Sequence, residues 1–393
     1  MSAPLSACLI ACARDEGPFL AEWVAYHRAI GFTDILIWSN DCLDGSDRLL
    51  AQMHRMGLIK HFTNPSDAPQ RSALTAAMTC PEYQTADVVM TMDIDEYLNI
   101  RTGEGRLPDL LAAAPGEAWS ICEAHFSPTE HDDLKGLTIE RHPIRERLRR
   151  PRNPIRRGVK TLFRPRPDIT IGVHRPVMDP TLAASLTWLD GSGTPVGEAF
   201  AAGGRHGLKL TDGHRLATIN HYALRSPGAF AVKRARGDAW HPEQRRFTGD
   251  YWRKRKGGDV EETNMRRWVG PIQAALTDWR NDQWFAIAER AAASRYKARM
   301  AALTPSVRIV TYIKNEGAFL LEWIAWHRWL GVTDFLVYTN DCDDGVEAML
   351  DALPFVRRIN NPAPPEMNRQ FVALEHARQS GALAGADWVT SLD

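Results

Sequence analysis

Two aspartates separated by a single residue follow directly after a mostly apolar run. Residues 88–92 lead into Asp93 and Asp95, and Glu96 comes next. Side chains alternate along an extended strand, so we expect both carboxylates on one face at the end of a buried strand. Neighbouring carboxylates ionise together only when a cation neutralises them, and Mg²⁺ or Mn²⁺ prefers oxygen ligands and bridges to phosphates. The pattern predicts a metal–phosphate site; the alternative is acidic residues that cap a helix or line a solvated turn.

The elements before these aspartates alternate between strand and helix patterns. Apolar runs at 5–13, 35–38 and 58–62 predict strands, and helical spacing predicts helices at 19–30, 47–56 and 70–86. This order indicates an α/β fold, a Rossmann-like and mostly parallel sheet with helices on both faces. Ligands of such sheets bind at the carboxyl ends of the strands. We therefore expect one shared site formed by the polar residues at those ends: Arg14, Asp15, Asp41, Asp93 and Asp95.

Two further candidates lie later in the chain. The segment 141–166 is rich in arginine, which mainly indicates a solvated loop. Lys160 differs from these arginines because apolar residues lie near it in the sequence. We expect Lys160 to contact a diphosphate, because cationic side chains match phosphate oxygens. His221 ends a β-like run, where a histidine is either structural or a ligand.

Composition limits the class of protein. The 393 residues include 48 basic and 48 acidic ones, so the net charge of zero favours neither nucleic acid nor a membrane as partner. No apolar run approaches the ~20 residues that span a bilayer, and the N-terminus lacks the basic region of a signal peptide. We expect a cytoplasmic protein with free thiols, for which contact with a membrane surface stays open.

The chain contains an internal repeat. Residues 8–50 align with 308–350 at one constant offset, and Asp393 is the counterpart of Asp93. No residue follows as the counterpart of Asp95, so we expect an incomplete second copy without catalysis. The expected domains are 1–236 as a complete unit, 237–304 as a helical appendage and 305–393 as the partial repeat.

Several of these motifs together resemble the family 2-like glycosyltransferases of GT-A fold, particularly the bacterial subgroup related to glycosyltransferase family 92. The motifs are Arg14-Asp15-Glu16, the helix segment 22–28, Asn40-Asp41 with Asp44-Gly45-Ser46, Asp93-Ile94-Asp95-Glu96-Tyr97, and His221-Tyr222 followed by Lys233-Arg234. The resemblance covers residues 5–236 and 305–393. It implies a nucleotide-diphosphate sugar donor, linked to UDP or GDP, and a divalent Mn²⁺ or Mg²⁺ ion.

The resemblance also implies roles for single residues. Asp93 and Asp95 would hold the metal on the diphosphate, and His221 would complete the coordination. Residues of the donor pocket would be Arg14, Asp15, Glu16, Asp41, Arg71, Asp93 and Lys160. An inverting transfer needs a carboxylate base, for which Glu130, Asp132 and Asp133 are the candidates, with Asp132 preferred.

The leading hypothesis is a metal-dependent, inverting glycosyltransferase that acts on a glycan or another hydroxyl acceptor. The alternative is a non-catalytic module that binds a nucleotide sugar or a glycan. A nucleotidyltransferase would use similar metal–phosphate chemistry, but residues 14–17 lack the glycine-rich loop expected of that class.

Overall fold

The computed structural model describes residues 4–130, 134–148, 156–201, 207–209, 214–238, 247–361, 363–364 and 366–392. It divides into two compact units, a first unit of residues 1–303 and a second unit of residues 304–393.

The strands of the first unit are short and mostly buried. In chain order they are β1 (Ala7–Ala13), β2 (Asp34–Ser39), β3 (Lys60–Thr63), β4 (Val88–Thr91), β5 (Glu96–Ile100), β6 (Ala118–His125), β7 (Ile144–Arg145), β8 (Arg156–Phe163), β9 (Trp188–Asp190), β10 (Gly207–Lys209), β11 (Ala217–His221) and β12 (Val260–Glu261).

Helices connect most of these strands. They are α1 (Gly17–Ala29), α2 (Ser46–Arg55), α3 (Pro69–Ala77), α4 (Pro81–Gln84), α5 (Leu107–Ala113), α6 (Thr138–Arg141), α7 (Pro180–Ser185), α8 (Glu198–Ala201), α9 (Pro227–Arg236), α10 (Gly249–Arg255), α11 (Val269–Trp279) and α12 (Gln283–Leu303), with a 3₁₀ helix at Asn264–Trp268. The single helix expected at 70–86 is two helices, because Pro81 lacks the amide hydrogen that a continuous helix would need there.

The main sheet is mostly parallel. Its order is β3-β2-β1-β4-β8-β6-β11-β5, with β10 paired to β8 and β9 paired to β6. Strands β1 to β4 run parallel, as do β6, β9 and β11, whereas β8 is antiparallel to β4 and β6, and β5 is antiparallel to β11. The parallel order places the ends of β1, β2 and β4 at one edge, as the alternation of elements predicted.

Apolar side chains of the sheet alternate between two cores. On β1, Leu9 and Ala11 join one buried cluster with α1 and α2, whereas Cys8 and Ile10 join another with α3. This period of two places helices on both faces of the sheet. The predicted α/β class with a mostly parallel sheet is therefore confirmed.

The helical segment after α9 belongs to the first unit and packs against α1. The rings of Phe19 on α1 and Tyr296 on α12 are 5.4 Å apart, and those of Tyr26 and Trp268 are 6.0 Å apart. Apolar residues between 265 and 300, in the segment expected to be an appendage, thus contribute to the main core.

The second unit repeats the first elements of the first unit. It contains β13 (Val307–Ile313), α13 (Gly317–Trp329), β14 (Asp334–Thr339), α14 (Val346–Asp351), β15 (Val356–Asn360), α15 (Arg369–Gln379) and β16 (Trp388–Ser391). These strands form a parallel sheet in the order β15-β14-β13-β16. The pairing of Arg308 with Asp334 repeats the pairing of Cys8 with Asp34.

Within the described ranges, none of the helices has the length and apolar character needed to cross a membrane.

Candidate active site

The two predicted metal-binding aspartates lie in a turn. Strand β4 ends at Thr91 and β5 begins at Glu96, so Asp93 and Asp95 belong to the connection between them. The amide of Glu96 donates to the carbonyl of Asp93 at 3.0 Å, and the Glu96 carboxylate accepts from the Asp93 amide at 3.0 Å. The expectation that strand alternation aligns the two carboxylates is therefore wrong. We call residues 93–96 the acidic turn.

Helix α1 holds the strand that follows the acidic turn. Trp23 donates from its indole nitrogen to the carbonyl of Glu96 at 2.8 Å, and the hydroxyl of Tyr26 donates to the carbonyl of Leu98 at 2.7 Å. Both aromatic side chains are fully buried. These bonds fix the start of β5, so the position of Asp95 is set by the core beneath it.

Asp95 is a buried carboxylate between two cationic groups. It is 5% exposed, and its Oδ2 lies 2.5 Å from Nζ of Lys233 and 3.6 Å from Nε2 of His221. Burial alone raises the pKa of the Asp95 carboxyl, but the charges of Lys233 and His221 outweigh it and hold that pKa well below its ordinary value. Burial lowers the pKa of His221, but the carboxylates of Asp95 and Glu123 outweigh it and hold that pKa well above its ordinary value.

Asp93 is paired with a different lysine. Lys160 of β8 is fully buried, and its Nζ lies 3.0 Å from Asp93 and 3.2 Å from Glu96. Gln70 also donates to Asp93 at 2.9 Å, and the Asp93 side chain is 35% exposed. Burial raises the pKa of the Glu96 carboxyl to about 8, although Lys160 acts in the opposite direction. Each aspartate of the acidic turn thus has its own ammonium group.

The sheet register brings His221 beside the acidic turn. His221 at the end of β11 pairs with His125 at the end of β6 on one side and with Glu96 on the other. Nδ1 of His221 lies 3.2 Å from Oε2 of Glu123, and Nε2 of His125 lies 3.4 Å from the same oxygen. Burial raises the pKa of the Glu123 carboxyl, but the imidazoles of His125 and His221 outweigh it and hold that pKa well below its ordinary value.

Helix α9 supplies cations to the same region. Its N-cap, Ser226, accepts from the amide of Ala229 at 3.3 Å. Lys233 and Arg236 lie three residues apart and therefore on one side of the helix. Arg236 contacts the carboxylate of Glu16 at 2.5 Å and the backbone carbonyl of Arg14.

Glu16, expected in the donor pocket, lies 3% exposed inside an ion-pair network. Besides Arg236, its carboxylate contacts Arg225 at 2.5 Å. Arg225 also donates to the carbonyl of Ile94 at 3.1 Å, within the acidic turn. Glu16 therefore connects α1 to two arginines that lie near Asp95.

The loops after β1 and β2 carry the other expected pocket residues. Asp15 is buried, and its Oδ1 accepts from the amides of Leu43 at 2.6 Å and Asp44 at 3.1 Å, while Arg299 lies 3.3 Å from its Oδ2. Asp15 and Asp41 both have positive φ angles, 51° and 43°, in the left-handed region that few residues other than glycine adopt. The carboxylate of Asp15 thus shapes the loop after β2.

The remaining expected residues lie in different surroundings. Arg14 is partly buried, Asp41 is exposed after β2, and Arg71 is exposed on α3. Glu130 is exposed after β6, whereas Asp132 and Asp133 lie outside the described residues.

A small cavity adjoins the buried face of Asp95. Besides Asp95, its lining includes Tyr222, Arg225, Lys233, Arg236 and Tyr296. Three of these side chains are cationic and one is anionic. Lys233 is paired with Asp95, and Arg225 and Arg236 are paired with Glu16, so each cation of this lining has a carboxylate partner.

Some of these residues carry weak sequence signals. Glu123 and His125 follow the period of two along β6, which places both on one face, but a short buried strand gives no reason to single them out. Lys233 and Arg236 have helical spacing at the end of α9. Asp95 and Lys233 are 138 positions apart, so no local sequence pattern indicates their contact.

No family model matches the chain. The chain is 44% identical over 43 residues to a glycosyltransferase family 92 protein of Ricinus communis, covering 11% of this chain and 7% of that protein. It is 29% identical over 100 residues to a family 92 protein of Oryza sativa subsp. japonica, covering 25% of this chain and 17% of that protein. The chain thus spans less than a fifth of these relatives.

Solved structures with partial likeness include S. aureus TarS 1–349, at 11% identity over 76% of this chain and 91% of that chain, with a TM-score of 0.29. The mannosyltransferase PcManGT from Pyrobaculum calidifontis, solved with GDP-Man and Mn²⁺, is 14% identical over 77% of this chain and 75% of that chain, with a TM-score of 0.30. Scores of this size carry no argument about function. Similarity to glycosyltransferases is therefore established only for short parts of the sequence.

Proposed function

We propose that the first unit is a glycosyltransferase of GT-A fold that depends on a divalent metal. It transfers a sugar, with inversion, from a UDP- or GDP-linked donor to a hydroxyl of a glycan or another acceptor. The observation that carries the proposal is the buried Asp95 carboxylate, which faces His221 and Lys233 beside a cavity lined by cations. The short matches to family 92 proteins support the same reaction class.

The donor atoms of the site fit Mn²⁺ or Mg²⁺. Asp93 and Asp95 carry carboxylate oxygens, the ligands that Mn²⁺ and Mg²⁺ prefer, and Nε2 of His221 lies 3.6 Å from Oδ2 of Asp95. Lys233 lies where a cation neutralises Asp95, so a metal would replace its ammonium group there. In the proposal Asp93, Asp95 and His221 hold the ion, which supplies neutralisation of the charge on the leaving diphosphate.

The chain's own cations then bind the donor. In the proposal Lys233, released from Asp95, turns toward a phosphate oxygen of the donor. The cavity that Lys233 and Arg236 line has a volume of about 10 Å³, which holds a water molecule but not a phosphate, so the donor would bind outside it. Lys160 remains beneath the acidic turn, where it fixes Asp93 and Glu96. Its proposed role therefore changes from direct contact with the donor to orientation of the acidic turn.

The other pocket residues remain proposals. Arg14, Asp15, Asp41 and Arg71 would bind the nucleotide at the ends of β1 and β2 and on α3. Glu16 would act indirectly, because its carboxylate is engaged by Arg225 and Arg236.

Inversion requires a base that removes the proton of the acceptor hydroxyl on the side opposite the leaving group. Glu130 is exposed after β6 and free to approach an acceptor from solvent. Asp132, which we prefer, and Asp133 follow it in the chain. The proton passes to the carboxylate as the hydroxyl oxygen forms a bond to the anomeric carbon of the sugar. The bond from that carbon to the diphosphate oxygen breaks, and the nucleoside diphosphate leaves with the bonding electron pair.

Binding of nucleotide and metal tests this proposal. UDP or GDP with Mn²⁺, at a hundredfold excess over the dissociation constant, adds ~2.7 kcal/mol to the free energy of unfolding. Asp95→Asn should remove the part that depends on metal, whereas Asp278→Asn, an exposed change on α11, should retain it. Retention of the full increment in Asp95→Asn, or no response of the wild type to either nucleotide, would refute the site.

One observation favours the second candidate, a module that binds a nucleotide sugar or glycan without catalysis. Lys160 and Lys233 already neutralise the acidic turn, so a metal-free pocket needs no further cation. Assays of donor hydrolysis and transfer with Mn²⁺ separate the two. Saturable binding without turnover across UDP- and GDP-sugars supports the module; turnover lost in Asp95→Asn supports the enzyme.

A further inference from the structure

A second group of potential metal ligands lies behind the acidic turn. It consists of Glu123, His125 and His221, whose ligand atoms all lie within 4.8 Å of one another, and we call it the Glu123 cluster. We propose that the Glu123 cluster is a second metal site, which shares His221 with the proposed Mn²⁺ site and binds a borderline transition-metal ion such as Zn²⁺. None of the roles assigned above uses Glu123 or His125.

The spacing of the ligand atoms fits such an ion. Bonds of ~2.0–2.2 Å in tetrahedral geometry separate neighbouring ligands by ~3.3 Å. Oε2 of Glu123 lies 3.2 Å from Nδ1 of His221 and 3.4 Å from Nε2 of His125. Two imidazoles and one carboxylate suit zinc, whereas Mg²⁺ prefers oxygen ligands alone.

The orientation of His125 provides an independent observation. Its Nδ1 lies 3.1 Å from Oε1 of Glu146, and Glu146 is itself held by Arg157. Its Nε2 is buried and faces Oε2 of Glu123 at 3.4 Å, without the geometry of a hydrogen bond. A carboxylate on one imidazole nitrogen fixes the proton there and leaves the other nitrogen free to ligate, which is the usual support of a metal-bound histidine.

Glycine on the neighbouring strand makes room for the carboxylate. A Cβ atom at Gly158 of β8 would lie 2.5 Å from Oε1 and 2.7 Å from Cδ of Glu123. The Glu123 side chain therefore occupies space that only glycine leaves open. Its place between the two imidazoles is fixed by close packing.

His221 connects the Glu123 cluster to the acidic turn. Its Nδ1 faces Glu123 and its Nε2 faces Asp95. A neutral imidazole carries one proton and offers one lone pair. An ion in the Glu123 cluster would use Nδ1 and leave an N–H toward Asp95. Where the proposed function holds, such an ion therefore weakens binding of Mn²⁺ at Asp95.

Metal titration of the full chain, without nucleotide, tests the site independently of the proposed enzyme activity. Zn²⁺ binding is followed by calorimetry. Absorption spectra with Co²⁺ then show whether cysteines bind the metal instead, because thiolate ligands give charge-transfer bands that imidazole and carboxylate ligands lack. His125→Ala and Glu123→Gln should each weaken binding at least tenfold. Glu146→Gln should weaken it ~10–100-fold through the orientation of His125. His54→Ala, which removes an exposed histidine of α2, should leave it unchanged.

Two further variants keep the test decisive. His125→Gln retains a polar side chain at this partly exposed position if His125→Ala does not fold, and should also lose tight binding. Asp95→Asn should retain Zn²⁺ binding, even if it loses the response to Mn²⁺ and nucleotide. Wild-type affinity in both His125 variants, thiolate bands with Co²⁺, or no Zn²⁺ binding to the wild type would overturn the proposal.

Discussion

Replacement of Lys233 by methionine tests the electrostatics of the acidic turn. Lys233 lies 2.5 Å from Asp95, and the two side chains are 12% and 7% exposed. Methionine preserves most of the apolar stem but removes the charge. Asp95 then keeps His221, 3.6 Å away, as an ion-pair partner, while Arg225 and Arg236 remain paired with Glu16.

The expected loss follows from burial of the pair. At an effective dielectric constant of 20, charges 2.5 Å apart attract by ~7 kcal/mol, and desolvation of both groups offsets much of that. Removal of one partner leaves a buried charge, which typically costs ~3–5 kcal/mol. Because His221 remains, we expect a loss of ~3 kcal/mol in the free energy of unfolding without metal.

Metal should reverse this loss. In the wild type Mn²⁺ must displace Lys233 from Asp95, whereas in Lys233→Met the carboxylate is free to bind it. Denaturant unfolding with EDTA and with Mn²⁺ measures both effects. Lys233→Arg should resemble the wild type, and Arg234→Met, an exposed change on the same helix, should shift stability by less than ~0.5 kcal/mol.

Two results would refute the reasoning. Equal stability of Lys233→Met and the wild type in EDTA would mean that Lys233 does not neutralise Asp95 in solution. Equal stabilisation of both proteins by Mn²⁺ would mean that the metal and Lys233 do not compete for that carboxylate.

Two other predictions concern the core and the sheet. Burial lowers the pKa of His27 from 6.5 to about 3, so the unfolded chain takes up a proton below pH 6.5 before the folded one does. The free energy of unfolding therefore falls as the pH falls, and His27 accounts for ~2 kcal/mol of that loss between pH 7 and pH 5. In His27→Phe, denaturant unfolding should show a free energy of unfolding that depends less on pH by this amount. Gly158→Ala should force Glu123 aside and cost ~1–3 kcal/mol, measured by denaturant unfolding. Gly249→Ala, whose added Cβ meets no atom within 4 Å, is its control; equal effects of the two alanines would contradict the packing argument.

The sequence predicted the fold class and one edge of the site because both depend on local patterns. Alternating strands and helices determine that the ends of β1, β2 and β4 meet, which brings Arg14, Asp15 and Asp41 to the edge that carries the acidic turn. The turn itself was mistaken for strand, since β4 ends two residues before Asp93. A short apolar run does not indicate at which residue the strand makes its last hydrogen bond to the neighbouring strand.

The partners of the acidic turn could not be predicted in the same way. Lys160 on β8 and Lys233 on α9 neutralise the acidic turn although both are far from it in the sequence. The residues next to each lysine in the sequence do not show that it pairs with a buried carboxylate. Lys160 was singled out by its apolar neighbours, yet its full burial and its contact with Glu96 depend on where β8 inserts. Non-local contacts of this kind require the complete sheet order.

The position of β11 between β6 and β5 has a consequence for the order of folding. His221 reaches its neighbours only when the last strand of the sheet enters a gap whose two borders come from residues about a hundred positions earlier. Long-range insertion of this kind is slow compared with closure of the local β1–β4 region. A nascent chain would hence form the loops after β1 and β2 early and bring the His221 imidazole beside Asp95 last.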